Sequence, residues 1–389
     1  MAITLSRLCK NTEKIYDLKL IAGRGGLENT VRWVHMVEDM EVPDFLHGNE
    51  LVFTTGIANH KQNWMLYFVK TLKKNNAAGV VINIGPYISE IPPQVIVYCE
   101  QNDFPIFSMP WETRVIDVTY EFCRHIINDE KAEQSLTEAF KNLILNPENK
   151  EGYLSTLEKA GYADSSSYMV VSLAFKENDS NITSRFLSEN DTRIGRLLRV
   201  NSMPRAAFMW NKNLTLIFQN TLDEDIKIMS DKISNFISEI DGVSFNIGIS
   251  DISEGFNKIR ELYKQSQWAI MIAEMRKDTL CMHKDLGINK ILLSIENRDI
   301  LRKYYNDTLE KLINYDKEQG ADLCHSLRKY CEYNGSVVEL ANDFGVHRNT
   351  INHKIRKIKE ILGNDIDYEM IMNLMLCFNI HDIINYKKG

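Results

Sequence analysis

Residues 336–362, SVVELANDFGVHRNTINHKIRKIKEIL, read as a helix, a tight turn and a second helix. Ser336 is placed to cap the amide of Glu339 while the Glu339 side chain reaches back, a reciprocal capping box. Val337, Leu340, Ala341 and Phe344 follow at helical spacing. Small Ala341 lets a second helix cross closely, and Gly345 can take the positive φ of a sharp turn. In the second helix Ile351, Ile355, Ile358 and Leu362 form one apolar stripe. The opposite face then carries Asn349, His353 and Arg356, flanked by Thr350, Asn352, Lys357 and Lys359.

Those side chains suit a DNA major groove. Asn can pair bidentately with adenine and Arg with guanine, while Lys and Arg neutralise phosphates. The competing reading is a solvated face on an all-helical domain, since a charged amphipathic helix by itself usually faces water. The capping box, the Ala, the Gly turn and the polar face together favour double-stranded DNA as the partner. His347, Arg348, Asn349, Thr350, Asn352, His353, Lys354, Arg356 and Lys357 are the expected contact residues, with Ser336 at the start of the first helix. Arg348 stands at the helix entrance, and Lys354, Lys357 and Lys359 on the flanks are placed for phosphate.

The run GVHRNTINHKIRKIKEILGNDI resembles the C-terminal helix-turn-helix of the PucR family of bacterial transcriptional regulators. His347, Arg348, Asn349 and Thr350 stand at matching positions, and Lys354 stands where the family more often has Arg. The resemblance implies a DNA-binding regulator.

A chain of 389 residues exceeds one ordinary core, so two or three domains are expected. With 44% hydrophobic and 25% charged residues it is globular in character, and a net charge of -7 excludes a general nucleic-acid coat protein. Any DNA contact must be local. Seven scattered cysteines without a CxxC pair point to a reduced, cytoplasmic setting. Neither a signal peptide nor a membrane span is expected, because residues 1–10 lack a long apolar core and the most apolar run, 371–380, is broken by Asn373 and Asn379.

In the first segment, 1–129, the apolar runs LVFTTG, GVVINIG and FPIFSMP alternate with helical stretches at 63–74 and 93–101. Strand–helix alternation predicts a parallel α/β sheet, and LKLIAG and VRWVHMVED read as two further strands around a Gly23–Gly26 turn. The carboxyl ends of parallel strands share one edge, where ligands usually bind. That edge would gather Thr54, Thr55 and Gly56, then Asn83 and Gly85, then Met109 and Trp111. Hydroxyls, an amide, open backbone and an aromatic wall suit a small planar polar molecule as a location, while each residue taken alone reads sooner as an ordinary strand-end turn. The text AGRGGLENTVRWVHMVEDMEVPDFLHGNELVFTTG, continuing into IPPQVIVYCEQNDFPIFSMPWE, is similar to the N-terminal PucR domain, named for purine catabolism regulation. The likeness implies a sensor of a small-molecule effector, a purine-related one among the options.

From 114 to 145 the chain is helix-compatible without Pro or Gly, with Ile116, Tyr120, Cys123, Ile127, Leu136, Phe140 and Leu143 roughly on a seam. Such a helix either pairs with a second copy, making a homodimer or higher homo-oligomer, or lies back on its own domain. Residues 130–150 are read as a helical connector.

Across 151–286 a second α/β pattern appears: strand SYMVVSLAF, helix 182–200, hairpin AAFMWNKNLTLIF, helix 225–240, strand VSFNIGIS, helix 255–274 and strand TLCMH. This order is expected of a ferredoxin-like fold. It is similar to the degenerate GGDEF-like domain of PucR and sugar-diacid regulators, including FNIGIS and YKQSQWAIMIA. A nucleotide cyclase needs glycines and carboxylates in its hairpin to admit nucleotide and hold divalent metal. Here the hairpin is WNKNLT, with neither, so no enzyme activity and no metal or cofactor are expected. GxxxxGK[ST], GxSxG and HExxH are absent, and the pairs Cys123–His125 and Cys324–His325 lack a third partner.

The last segment, 287–389, is wholly helical, with helices at 301–315 and 321–333 before the Ser336 cap and an apolar one at 367–386 that closes the core or meets a second copy.

Overall fold

The computed structural model describes residues 3–10, 13–39, 46–58, 64–146, 153–175, 205–220, 231 and 245–386. The chain divides into two compact units. One comprises Met1–Tyr168, Asp179–Val243 and Ile252–Arg260, and the other Met169–Asn178, Ser244–Asp251 and Glu261–Gly389.

The first unit opens with α1 (Leu5–Lys10), α2 (Glu13–Tyr16), β1 (Lys19–Ala22), a 3-10 turn at Arg24–Glu28, and β2 (Trp33–Met36). Then β3 (Glu50–Thr54), α3 (Trp64–Lys74), β4 (Gly79–Ile84), α4 (Pro93–Gln101), β5 (Ile106–Pro110) and α5 (Val115–Leu145) follow. The five strands lie in the order β1-β5-β4-β3-β2. β2 to β5 pair in parallel, as the strand–helix alternation predicts. β1 departs from that expectation: it runs antiparallel to β5 along the edge, with an irregular register between Leu20 and Ala22. No helix separates β1 from β2, only the 3-10 turn, so this part of the chain has no crossover to reset the direction.

Each central strand is buried on both faces because its alternate side chains enter two cores. Leu51, Phe53, Val81, Phe107 and Met109 pack with Leu5, Leu8, Val118, Phe122 and Ile126. Val52, Val80, Ile82 and Ile106 pack with Phe68, Leu72, Val95 and Cys99. Two-sided burial explains why these strands read as continuous apolar runs.

α5 is one unbroken helix of 31 residues. The seven residues expected on one seam lie on two faces. Ile116, Tyr120 and Ile127 are exposed, whereas Phe140 and Leu143 are buried. Nine residues separate Ile127 from Leu136, and at about 100° per residue that is half a turn out of phase. Phe140 meets Tyr162 edge-on at 4.9 Å and stacks near Phe208 at 6.4 Å.

After α6 (Leu154–Lys159) come β6 (Ser167–Phe175), β7 (Arg205–Trp210), β8 (Asn213–Gln219), β9 (Phe245–Ile249) and β10 (Ser253–Glu254). β7 and β8 form the expected hairpin, with Trp210 opposite Asn213. Its two turn residues, Asn211 and Lys212, have φ of 47° and 65°, the mirror-image turn that matches strand twist. The turn therefore contains neither glycine nor carboxylate.

In the second unit the rest of β6 pairs antiparallel with β9. α7 (Ile259–Arg276) leads to β11 (Leu280–Met282), which runs parallel to β9. α7 is tied to β6 by a fully buried Ser172–Ser266 hydroxyl contact of 2.8 Å. Of the helices expected at 182–200 and 225–240 only residue 231, helical, is among the described residues, so the ferredoxin-like order reduces among the described residues to these pairings.

Beyond β11 the chain is helical: α8 (Asn289–Ser294), α9 (Arg298–Gln319), α10 (Leu323–Glu332), α11 (Val337–Asp343), α12 (Arg348–Leu362) and α13 (Tyr368–Asn385). α9 is longer at both ends than its apolar pattern, from the Asn297 cap on Asp299 N at 3.1 Å to Gly320 in left-handed conformation. α13 closes the core. Leu374, Cys377 and Phe378 pack with α9 to α12, and Ile380 and Ile383 pack with Ala269 and Ile272 of α7. Burial on several sides removes the one-sided pattern an amphipathic helix needs. Among the described residues no helix is long and apolar enough to cross a membrane.

Candidate nucleic-acid interface

The Ser336 hydroxyl accepts from Glu339 N at 3.3 Å, starting α11 as the sequence predicts. The return half of the capping box does not form among the described residues, because Ser336 N already donates to Tyr333 O at 2.9 Å. Leu340 and Ala341 are buried, and Val346 N closes the turn on Ala341 O at 3.0 Å. Gly345 has φ +63°, and a Cβ there would meet nothing within 4 Å. Glycine is needed at this turn for its backbone conformation, not for space.

His347 caps α12, its Nδ1 accepting from Asn349 N at 3.2 Å, which requires the neutral tautomer protonated on Nε2. Ile351, Ile355 and Ile358 are buried. Arg348, Asn349, Thr350, Asn352, His353, Arg356 and Lys357 are exposed. Among them Arg348, Asn349, Asn352, His353 and Arg356 form a row whose side chains make no hydrogen bond or ion pair among the described residues. From Arg348 to Arg356 the row rises about 12 Å, comparable to the major-groove width.

The lysines are placed differently. Lys354 turns inward: its Nζ donates to buried Ser326 Oγ at 3.1 Å and lies 5.4 Å over the Phe344 ring. Lys357 lies 5.4 Å over the Tyr315 ring and 3.6 Å from Glu360. Lys359 pairs with Asp365 at 3.1 Å. Nearby, His325 stacks parallel to Phe344 at 5.6 Å, and burial together with Asp316 pushes the Cys324 thiol up to about 12.

At the carboxyl edge of the N-terminal sheet, register brings Thr54 beside Ile82, Asn83 beside Met109 and Ile84 beside Pro110. The edge residues therefore gather as expected, but their donors are engaged. Glu38, just past β2, accepts from Thr54 Oγ1 at 3.1 Å, Thr55 N at 2.9 Å, Thr55 Oγ1 at 2.8 Å and Gly56 N at 2.9 Å. Asn83 Nδ2 donates to Pro110 O at 3.1 Å, and Gly85 N donates to Ile88 O at 2.8 Å. A Cβ on Gly85 would stand 2.6 Å from the Trp111 ring, so glycine there admits the indole. Trp111 and Tyr87, edge-to-face at 5.8 Å and both exposed, are the open part of the edge, with Ile57. Glu38 was missed from the sequence. Its signal was an acid immediately after VRWVHMV, which in a parallel sheet must emerge on the same edge as TTG.

Fold and site define a helix-turn-helix protein with an N-terminal α/β domain. Comparison with known proteins narrows this: residues 8–126 match the "Purine catabolism regulatory protein-like family" and residues 323–380 the "PucR C-terminal helix-turn-helix domain". The chain carries both PucR-type domains. It is 30% identical over 146 residues to the purine catabolism regulatory protein of Bacillus subtilis (strain 168), covering 37% of this chain and 27% of that one. It is 28% identical over 138 residues to the proline-responsive transcriptional activator PutR of the same organism, covering 33% and 34%. The DNA-binding transcriptional activator AdeR of that organism is 25% identical over 133 residues, covering 33% and 31%. The chain thus spans well under half the length of the curated relatives it matches. A solved regulator of polyketide synthase expression from Bifidobacterium adolescentis is 15% identical, covers 66% of this chain and 95% of its own, and has a TM-score of 0.31, too low to carry a fold argument.

Proposed function

We propose that this chain is a sequence-specific DNA-binding transcriptional regulator acting as two or more copies, with α12 as its recognition helix. The carrying observation is the row Arg348, Asn349, Asn352, His353 and Arg356, exposed on a helix that buries the stripe Ile351, Ile355 and Ile358. Amide and guanidinium groups without partners among the described residues are the groups that read base edges. His347 and Ser336 hold the helix starts, Thr350 and Lys357 flank the row, and Lys354 is a brace to α10 and no longer a phosphate contact in this reading. A single helix reaches only a few base pairs, so two copies on a repeated site are required.

The N-terminal domain is read as the sensor of a small metabolite of purine catabolism or nitrogen metabolism; one relative's name gives purine catabolism and another's a response to proline. The middle segment is read as a degenerate, non-catalytic GGDEF-like domain, supported by the turn Asn211–Lys212. Incubation with GTP and magnesium is expected to yield no cyclic dinucleotide.

Fluorescence anisotropy with duplex DNA from the region upstream of its own coding sequence tests the main reading. Binding that weakens steeply with salt and is lost in Asn349→Ala/Arg356→Ala supports it. Unchanged affinity in that variant would instead leave the basic helix as a protein-docking face.

A further inference from the structure

The first half of α5 has two apolar faces. Val118, Phe122 and Ile126 lie under the sheet. Ile116, Tyr120, Cys123 and Ile127, spaced by four, three and four residues, lie on another face. Ile116 is 73%, Tyr120 69% and Ile127 42% exposed, and Cys123 is a half-buried free thiol. Single exposed apolar residues are ordinary, but this spacing is the heptad seam of paired helices. In the second half of α5, Ala139, Phe140, Leu143 and Ile144 are buried, Phe140 against Tyr162 and Phe208, and Leu145 is exposed. Among the described residues the repeated exposed apolar positions of α5 are those of its first turns.

We infer that a second copy of this chain covers the stripe, the two α5 helices running antiparallel about a twofold axis between Glu121 and Phe122. The stripe is self-complementary in that arrangement. Ile116 meets Ile127 of the second copy, Tyr120 meets Cys123 of the second copy, and each contact occurs twice, as a closed isologous interface demands. Charge chooses the direction. Asp117 and Arg124 flank the stripe on one side, seven residues apart, so antiparallel helices set Asp117 of each copy opposite Arg124 of the other. Arg124 is presented by Glu121 on its own helix at 2.5 Å. A parallel pair would set Thr119 and Ile126 against Arg124 and Lys131, with no opposite charges. The seam spans about 17 Å, so association through it depends on chain concentration.

The inference deepens the reading that copies act together, and its test uses no DNA, so it fails or stands apart from the recognition helix. Sedimentation of the full chain across a concentration series should show a dimer. Tyr120→Glu/Ile127→Glu should abolish it while leaving the circular dichroism spectrum unchanged, since both side chains face solvent in the single chain. Asp117→Arg should weaken the dimer, and Asp117→Arg/Arg124→Asp should restore it. A short bismaleimide should link two chains in the native protein and not in Cys123→Ser. A native chain that stays monomeric, or a dimer indifferent to both the double Glu variant and the charge swap, overturns the inference.

Discussion

Two regions looked functional from sequence for similar reasons: the polar face of α12 and the polar strand ends of the N-terminal sheet. Structurally they are opposites. On α12 the amide and guanidinium groups extend without partners among the described residues, whereas at the sheet edge the hydroxyls and amides of Thr54, Thr55 and Gly56 converge on Glu38. A polar group of the right type is available to a ligand only if the fold leaves it unpaired, and pairing differs between a helix face and a strand end. On an exposed helix face, side chains point away from the body that positions them. At a strand end, any loop arriving at the same edge can reach the donors first.

The comparison can be broken most directly at Glu38. Glu38→Ala leaves four donors without their acceptor, several of them part-buried, and should cost about 3 kcal/mol of stability in urea unfolding. A variant as stable as the native chain would mean that water or a ligand serves those donors, and the edge would then rejoin α12 as an open site. On α12 the expectation is reversed. Asn349→Ala and Arg356→Ala should each lose about 1–3 kcal/mol of DNA affinity by anisotropy while unfolding at the native urea midpoint. Stability loss with intact affinity would make the row structural.

The turn offers a smaller test. Gly345→Ala meets no steric obstacle, so its cost should be only the left-handed backbone penalty, about 1–2 kcal/mol. Gly345→Asn should cost less. Smallest is Lys354→Met, which removes the Ser326 bond and should lower stability by about 1 kcal/mol. The salt slope of DNA binding should be unchanged by it, whereas a slope reduced by about one would return Lys354 to the phosphate contacts.

Much of the fold was legible because it follows from local periodicity. β3, β4 and β5 read as continuous apolar runs, and α12 announced its buried stripe through Ile351, Ile355 and Ile358. The direction of β1 was not legible, since an edge strand reached without a crossover reads alike in either orientation. Nor was the double face of α5, where one apolar list concealed a half-turn change of phase between Ile127 and Leu136.

By itself the sequence determined the helix-turn-helix, its Ser336 cap and Gly345 turn, and the alternation of strands and helices before α5. These depend on residues within about one helical turn of each other. Only the tertiary structure decided that Glu38 takes the donors of the sheet edge, sixteen to eighteen residues away, and that Lys354 turns inward to Ser326, twenty-eight residues away. Hydrogen bonds of that span form between groups that only the assembled fold brings together, and they separate polar residues that hold the protein from those left free to meet a partner.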